Sequence, residues 1–130
     1  MADVNRGNRP LSPHLQVYRL PLTAITSILT RATGHALLAG VVLFVWWLVA
    51  AATSDRAFAC ADAVVHSWFG FLVIWGSVWS LWYHFAAGIR HLIYDAGHGL
   101  EIDTAHKMAI GVIAASVVLT LLTMIFYYFG

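Results

Sequence analysis

Three long apolar runs constrain this chain more than any other feature. They occupy about residues 25–52, 63–92 and 106–129 and are separated by short polar segments. Each supplies the roughly 20 apolar residues that a helix needs to cross a hydrocarbon core. Composition agrees: 61% of the 130 residues are hydrophobic and only 10% are charged, whereas soluble domains are nearer a quarter charged. The fold class read from this is all-α integral membrane, with three transmembrane helices in an up-down bundle and a non-spanning N-terminal arm. The whole of 1–130 forms a single membrane-anchor domain, with the arm over about 1–21. Pro10, Pro13 and Pro21 break any long helix in the arm, and Ser12-Pro13 marks a short turn. A cleaved signal peptide is not expected, because the first residues are polar and the first apolar run is too long and too late. No transit-type presequence is evident, so a bacterial or a mature form is expected.

Basic residues orient the spans. Arg6, Arg9, Arg19 and Arg31 precede or begin the first span, Arg90 and Lys107 flank the second loop, and only Arg56 lies in the first loop. Three spans put the N-terminus and the second loop on one side, which then holds six of the seven basic residues. That side is expected to be cytoplasmic, or matrix in a mitochondrion. The protein is therefore expected in the cell inner membrane, or the mitochondrial inner membrane if eukaryotic. Cys60 and Gly130 would lie opposite. Trp46, Trp47, Tyr127 and Tyr128 are placed to anchor the outer interface. A formal charge of +1 gives no basic surplus for nucleic acid, so the surrounding partner is membrane lipid. Cys60 is the single cysteine, which excludes an intrachain disulfide and an all-cysteine metal site; it reads as a small apolar filler.

Ionisable groups at membrane depth are costly and mark function by default. Ser27, Arg31 and His35 recur every four residues and share one helical stripe, with Thr23 and Thr30 beside it. Lipid does not satisfy that stripe, so it faces protein or cofactor; the competing reading is an arginine snorkelling to the interface. In the second cluster, HFAAGIRHLIYDAGHG, the residues His84, Gly88 and His91 share a stripe while Arg90 points elsewhere. A neutral imidazole ligates haem iron, and a glycine one turn away lets a flat porphyrin approach the backbone. An arginine or histidine nearer the water would hold the propionates. The competing reading is a hydrogen-bonded core histidine.

Three motifs add a resemblance. Arg-Pro-x-Ser-Pro-His stands at Arg9 to His14, Ser-Ile-x-x-Arg-x-[Ser/Thr]-Gly at Ser27 to Gly34, and His-x3-Gly-x-Arg-His-x3-Asp at His84 to Asp95. In this order they resemble the cytochrome b membrane-anchor subunits of succinate dehydrogenase, and the likeness covers nearly the whole chain. The resemblance implies a succinate:ubiquinone oxidoreductase in which a second small anchor subunit shares a haem b with this chain. It further implies docking of an iron–sulfur subunit that carries a flavoprotein subunit. Succinate would be oxidised at the flavin and electrons delivered to ubiquinone at the inner face of the membrane. By motif position, His84 would be one axial haem ligand, and Ser27 and Arg31 would contribute to the quinone site. Arg31 and His91 would be the contacts to the haem propionates. The chain departs from the pattern at Thr30, where many members carry histidine; a threonine offers a hydroxyl and no charge. His35 is a histidine that the pattern does not require.

The chemistry is coherent with that implication. Quinone reduction takes two electrons and two protons, and a site at the membrane boundary draws protons from water while the isoprenoid tail stays in lipid. Ser27 would hydrogen-bond a quinone carbonyl, and Arg31 would add a charge-assisted donor. The chain would do no covalent chemistry of its own, since the cofactors carry it. Two other classes use the same residues differently: a haem-free structural tether for a peripheral enzyme, and a small ion conductor. The conductor is disfavoured because every Asp and Glu lies in a terminus or loop.

Overall fold

The computed structural model describes residues 19–130; the arm over 1–18, with Arg6, Arg9, Pro10, Pro13 and the Arg9 to His14 motif, lies outside the described residues. Four helices follow in order: α1 Leu22–Thr53, α2 Asp55–Val65, α3 Trp68–Asp95 and α4 Ile102–Phe129. The described residues contain no strand. α1, α3 and α4 are long and apolar enough to cross a membrane. At 32 residues, α1 is about 48 Å long at 1.5 Å per residue, well beyond a hydrocarbon core, so it tilts or extends into the interface.

The first loop differs from expectation. Residues 55–65 form an eleven-residue helix, and the second span begins at Trp68 rather than near residue 63. The local reasons are two serine caps. Ser54 Oγ accepts from the Ala57 amide and Ser67 Oγ accepts from the Gly70 amide, and Asp55 complements the positive end of α2. Trp47 fastens this helix to α1: its indole donates to Asp62 at 3.4 Å, and its ring lies 5.6 Å from that of Phe58. Trp47 is thus a packing post between the two helices. Tyr127 and Tyr128 both meet the Trp75 ring, at 5.8 and 6.1 Å between centroids.

The connection between α3 and α4 is short because α3 ends on a glycine. Gly97 takes φ 78°, its amide bonds the Tyr94 carbonyl, and the next amide, of His98, bonds the Ile93 carbonyl. That pair of bonds satisfies the last carbonyls of α3 and reverses the chain. The starts of α1 and α4 and the end of α3 therefore share one end of the bundle, with α2 at the other.

Helix contacts are made by small residues. Thr26, Thr33, Ala50, Gly70, Ser80, Ala87, Ala109 and Ser116 are buried, whereas Val41, Phe44, Phe85, Ile110 and Leu121 are exposed. Lipid tails are as apolar as leucine, so membrane helices associate through close backbone packing and interhelical hydrogen bonds instead. Gly40 shows the closeness: a Cβ added there would lie 2.9 Å from Ser77 Cβ. Trp82 donates to Thr123 Oγ1 at 3.0 Å and so links α3 to α4. The core proper is Tyr83, Ala87 and Val112, flanked by Leu29, Trp79, Ala86 and Ile113, and it lies toward the end where α1 begins.

Candidate functional site

The first four turns of α1 carry polar residues on two faces. On the outer face Ser27, Arg31 and His35 are all exposed, in the single stripe that four-residue spacing dictates. The His35 ring bonds the Arg31 carbonyl through Nδ1 at 2.8 Å, which fixes that imidazole along the helix. Among the described residues no side chain bonds Ser27 or the Arg31 guanidinium. This stripe is the surface that a membrane protein ordinarily gives to a partner or ligand, since polar groups do not remain against lipid.

The inner face holds α3. His84 Nδ1 lies 3.1 Å from the Thr30 carbonyl and 3.5 Å from Thr33 Oγ1. A carbonyl only accepts, so Nδ1 carries the proton and donates. Nε2 then keeps its lone pair, and the residue is exposed. Thr33 Oγ1 itself donates into the carbonyls of Leu29 and Thr30. The ring packs over Gly34, where an added Cβ would stand in van der Waals contact, 3.4 Å from His84 Cε1. One turn along α3, Gly88 is exposed with no atom within 4 Å of an added Cβ. A nitrogen base with a fixed tautomer beside an open glycine is a fit donor set for the face of a planar metal macrocycle.

The structure keeps His84, Gly88 and His91 on exposed positions and turns Arg90 inward. His91 lies seven residues past His84, nearer the end of the bundle, with its ring edge-on to Tyr94 at 6.3 Å. It touches neither His84 nor Arg31. Arg31 and His84 stand at the same depth, because His84 reaches the residue just before Arg31. The position of Thr30, which departs from the family pattern, contributes its backbone carbonyl here, a group that every residue type supplies.

Sequence reasoning missed a second polar node. Arg90 is 5% exposed and donates through Nη1 to Thr26 Oγ1 at 2.8 Å. The Tyr83 hydroxyl, fully buried, donates to the Thr26 carbonyl at 2.9 Å. Thr26 Oγ1 donates in turn to the Thr23 carbonyl at 3.0 Å. The legible signal was spacing: Tyr83, Ala87 and Arg90 fall on one helical face with a small residue at its centre.

Comparisons with known proteins bear on this site. The sequence profile of the succinate dehydrogenase/fumarate reductase transmembrane subunits matches residues 5–123. The chain is similar to the succinate dehydrogenase cytochrome b556 subunit of Paracoccus denitrificans, with 70% identity over 128 residues and 98% of each chain covered. Against the cytochrome b556 subunit of Rickettsia felis the identity is 34% over 125 residues, covering 89% of this chain and 90% of that one. Against the mitochondrial cytochrome b560 subunit of Bos taurus it is 35% over 117 residues, covering 85% of this chain and 66% of the bovine one.

Proposed function

The chain belongs to the succinate dehydrogenase/fumarate reductase transmembrane subunit family, and from that premise we propose that it helps to hold a haem b and to form a ubiquinone-reduction site. Membership makes it a cytochrome b-type membrane-anchor subunit of succinate dehydrogenase, a part of an enzyme rather than a catalyst alone. Its partners in this reading are a second small anchor subunit, the iron–sulfur subunit and the flavoprotein subunit. The end of the bundle carrying Arg19, Arg31, Arg90 and Lys107 faces the cytoplasm or matrix, by the bias of basic residues.

The haem reading rests on His84. Its Nδ1–H is held by the Thr30 carbonyl, which orients the ring and leaves Nε2 to bind iron. Such a second hydrogen bond is the usual support of a ligating histidine. Gly88 opens the surface beside it, and Arg31 and His91 are the cations nearer water that would meet the propionates. The haem, when bound, supplies a one-electron store; the protein supplies the ligand, its tautomer and the surrounding charge.

The observation that carries the quinone reading is the exposed Ser27–Arg31 stripe at the depth of His84. A hydroxyl and a guanidinium on adjacent turns offer two donors to a carbonyl oxygen as it gains electrons and protons. Protons arrive from the aqueous side, and the exposed apolar flank of α1, including Ile28 and Leu38, accommodates an isoprenoid tail.

The test is kinetic. Ser27→Ala and Arg31→Leu should each slow succinate-to-ubiquinone turnover at least about tenfold, a loss of about 1.4 kcal/mol of transition-state stabilisation. Transfer from succinate to an artificial acceptor that takes electrons upstream should persist. Variants that assemble with haem and reduce ubiquinone at the parent rate and apparent affinity would place the quinone elsewhere.

A further inference from the structure

Arg90 is an unusual residue to find sealed inside a membrane helix bundle. It is 5% exposed, and a guanidinium stays protonated in proteins. No carboxylate lies within ion-pair distance of it among the described residues: the ion pair found there joins His66 to Asp62, at the other end of the bundle. Asp95, at the end of α3, and Glu101 and Asp103, at the start of α4, are all exposed. The cation is instead held by neutral groups, with Thr26 Oγ1 at 2.8 Å and the face of the Tyr94 ring 6.0 Å from Cζ. Its Nε is buried and has no hydrogen-bond partner among the described residues. A buried charge of this kind is costly, and hydroxyl and ring contacts solvate it without neutralising it.

Its place in the fold gives that charge an object. Arg90 follows His84 by six residues on α3, about 9 Å along the helix axis, and it points to a different side. Thr26, to which it is tied, and Tyr83, which bonds the Thr26 carbonyl, adjoin Ser27 and His84 in the sequence. The charge is therefore fixed at short range from the candidate iron ligand while remaining unable to contact what that ligand binds. The sealing of Nε also separates this arginine from Arg31, whose exposed side chain is free to reach a propionate or a quinone.

We propose that Arg90 is a fixed, unneutralised positive charge that raises the reduction potential of the haem held at His84. The argument rests on the reading of His84 as a haem ligand. Reduction adds one electron to the iron and lowers the positive charge of the centre, so a fixed cation nearby favours the reduced form. In a protein interior of effective dielectric about 20, a unit charge about 10 Å away changes such an equilibrium on the order of tenfold. Arg90 acts at a distance and is a positioning and tuning residue, not a catalytic one.

The test is a redox titration of the b-type absorption band in the whole membrane complex, with four variants. Arg90→Gln removes the charge and keeps a donor. Thr26→Asp keeps the arginine and its contact but cancels the charge with an adjacent carboxylate. Arg90→Lys keeps the charge, and Thr26→Val breaks the contact while keeping the charge. Arg90→Gln and Thr26→Asp should both lower the reduced-to-oxidised ratio at a fixed potential by about tenfold, equivalent to about 59 mV for one electron. Arg90→Lys and Thr26→Val should stay near the parent. A purely structural clamp predicts the reverse ranking, with Thr26→Val affected and Thr26→Asp not. The proposal is overturned by an unchanged potential in either neutralised variant, or by loss of haem from both, which would make the arginine an assembly residue. Failure of the haem reading is seen separately, as a parent complex without a b-type spectrum or a His84→Leu complex that keeps it unchanged.

Discussion

A graded substitution at Gly34 tests whether the imidazole position seen here governs haem binding. An alanine Cβ at this site would lie 3.4 Å from His84 Cε1 and 3.8 Å from Nδ1, ordinary van der Waals contact, so Gly34→Ala should retain haem and its band. Valine is different. Its two methyl carbons extend about 1.5 Å further, into the volume of the ring, and α1 cannot retreat because Thr33 and Thr26 are packed on α3. The ring must turn, breaking the 3.1 Å bond to the Thr30 carbonyl. Losing that hydrogen bond costs about 0.5–1.5 kcal/mol and overpacking about 1–3 kcal/mol. The sum, about 1.5–4.5 kcal/mol, weakens haem binding by about 10- to 2,000-fold. The assay is the haem-to-flavin ratio of the purified complex, with the reduced-minus-oxidised spectrum. A Gly34→Val complex with full haem and an unaltered band would refute the reasoning. Gly88 supplies the converse control. Nothing in this chain lies within 4 Å of a Cβ there, so Gly88→Val strains no internal contact, and haem loss in that variant would report a flat group against the backbone.

Three further outcomes follow. His84→Leu should abolish or perturb the b-type spectrum, and His91→Leu should leave the axial coordination intact, as read by low-temperature electron paramagnetic resonance. Cys60 is exposed and lies in α2, at the end of the bundle that the bias of basic residues assigns to the outside, so an impermeant thiol reagent should label it in intact cells and not from the cytoplasmic side. A tag at Gly130 should report the same side; labelling only in inside-out vesicles would reverse the topology. Gly40→Ala should cost about 1–3 kcal/mol by overpacking, because its Cβ would stand 2.9 Å from Ser77 Cβ. Ser77→Gly in the same chain should recover most of that loss in thermal unfolding of the complex.

The spans were legible because twenty apolar residues in a row have few alternatives, and because α3, α1 and α4 need no long-range information to be helical. The helix Asp55–Val65 was not. Its eleven residues set Asp55, Arg56 and Asp62 among alanines, which a reading tuned to apolar runs takes for a loop, although Ser54 followed by Asp55 is a capping signal. The site shows the same division. Four-residue spacing was enough to put Ser27, Arg31 and His35 on one exposed stripe, and to set Arg90 apart from His84 and His91. What spacing could not supply was the partner. Thr26, Tyr83 and Thr33 are common residues without a motif, and their roles appear only when α1 lies against α3. Thr30 is the sharpest case. As a side chain it is a departure from the family pattern, yet its carbonyl accepts the His84 proton, and no sequence comparison scores a carbonyl.

The geometry of α1 explains why its two polar faces belong to one device. Successive residues on a helix are rotated by about 100°, so Thr26 and Ser27, or Thr30 and Arg31, look in different directions from the same turn. Thr26 and the Thr30 carbonyl bind α3 through Arg90, Tyr83 and His84, and Ser27 and Arg31 face outward. Moving α1 relative to α3 would therefore change the support of His84 and the position of the Ser27–Arg31 pair together. Three interhelical polar contacts, in a setting where each is worth about 0.6 kcal/mol on average, oppose such movement at this end, and the near contact of Gly40 with Ser77 opposes it farther along. The two arginines meet opposite fates on this scaffold. Arg31 is left without an acceptor among the described residues and is available to a ligand. Arg90 is enclosed by hydroxyl and aromatic groups, where a fixed charge is least screened and its field reaches farthest.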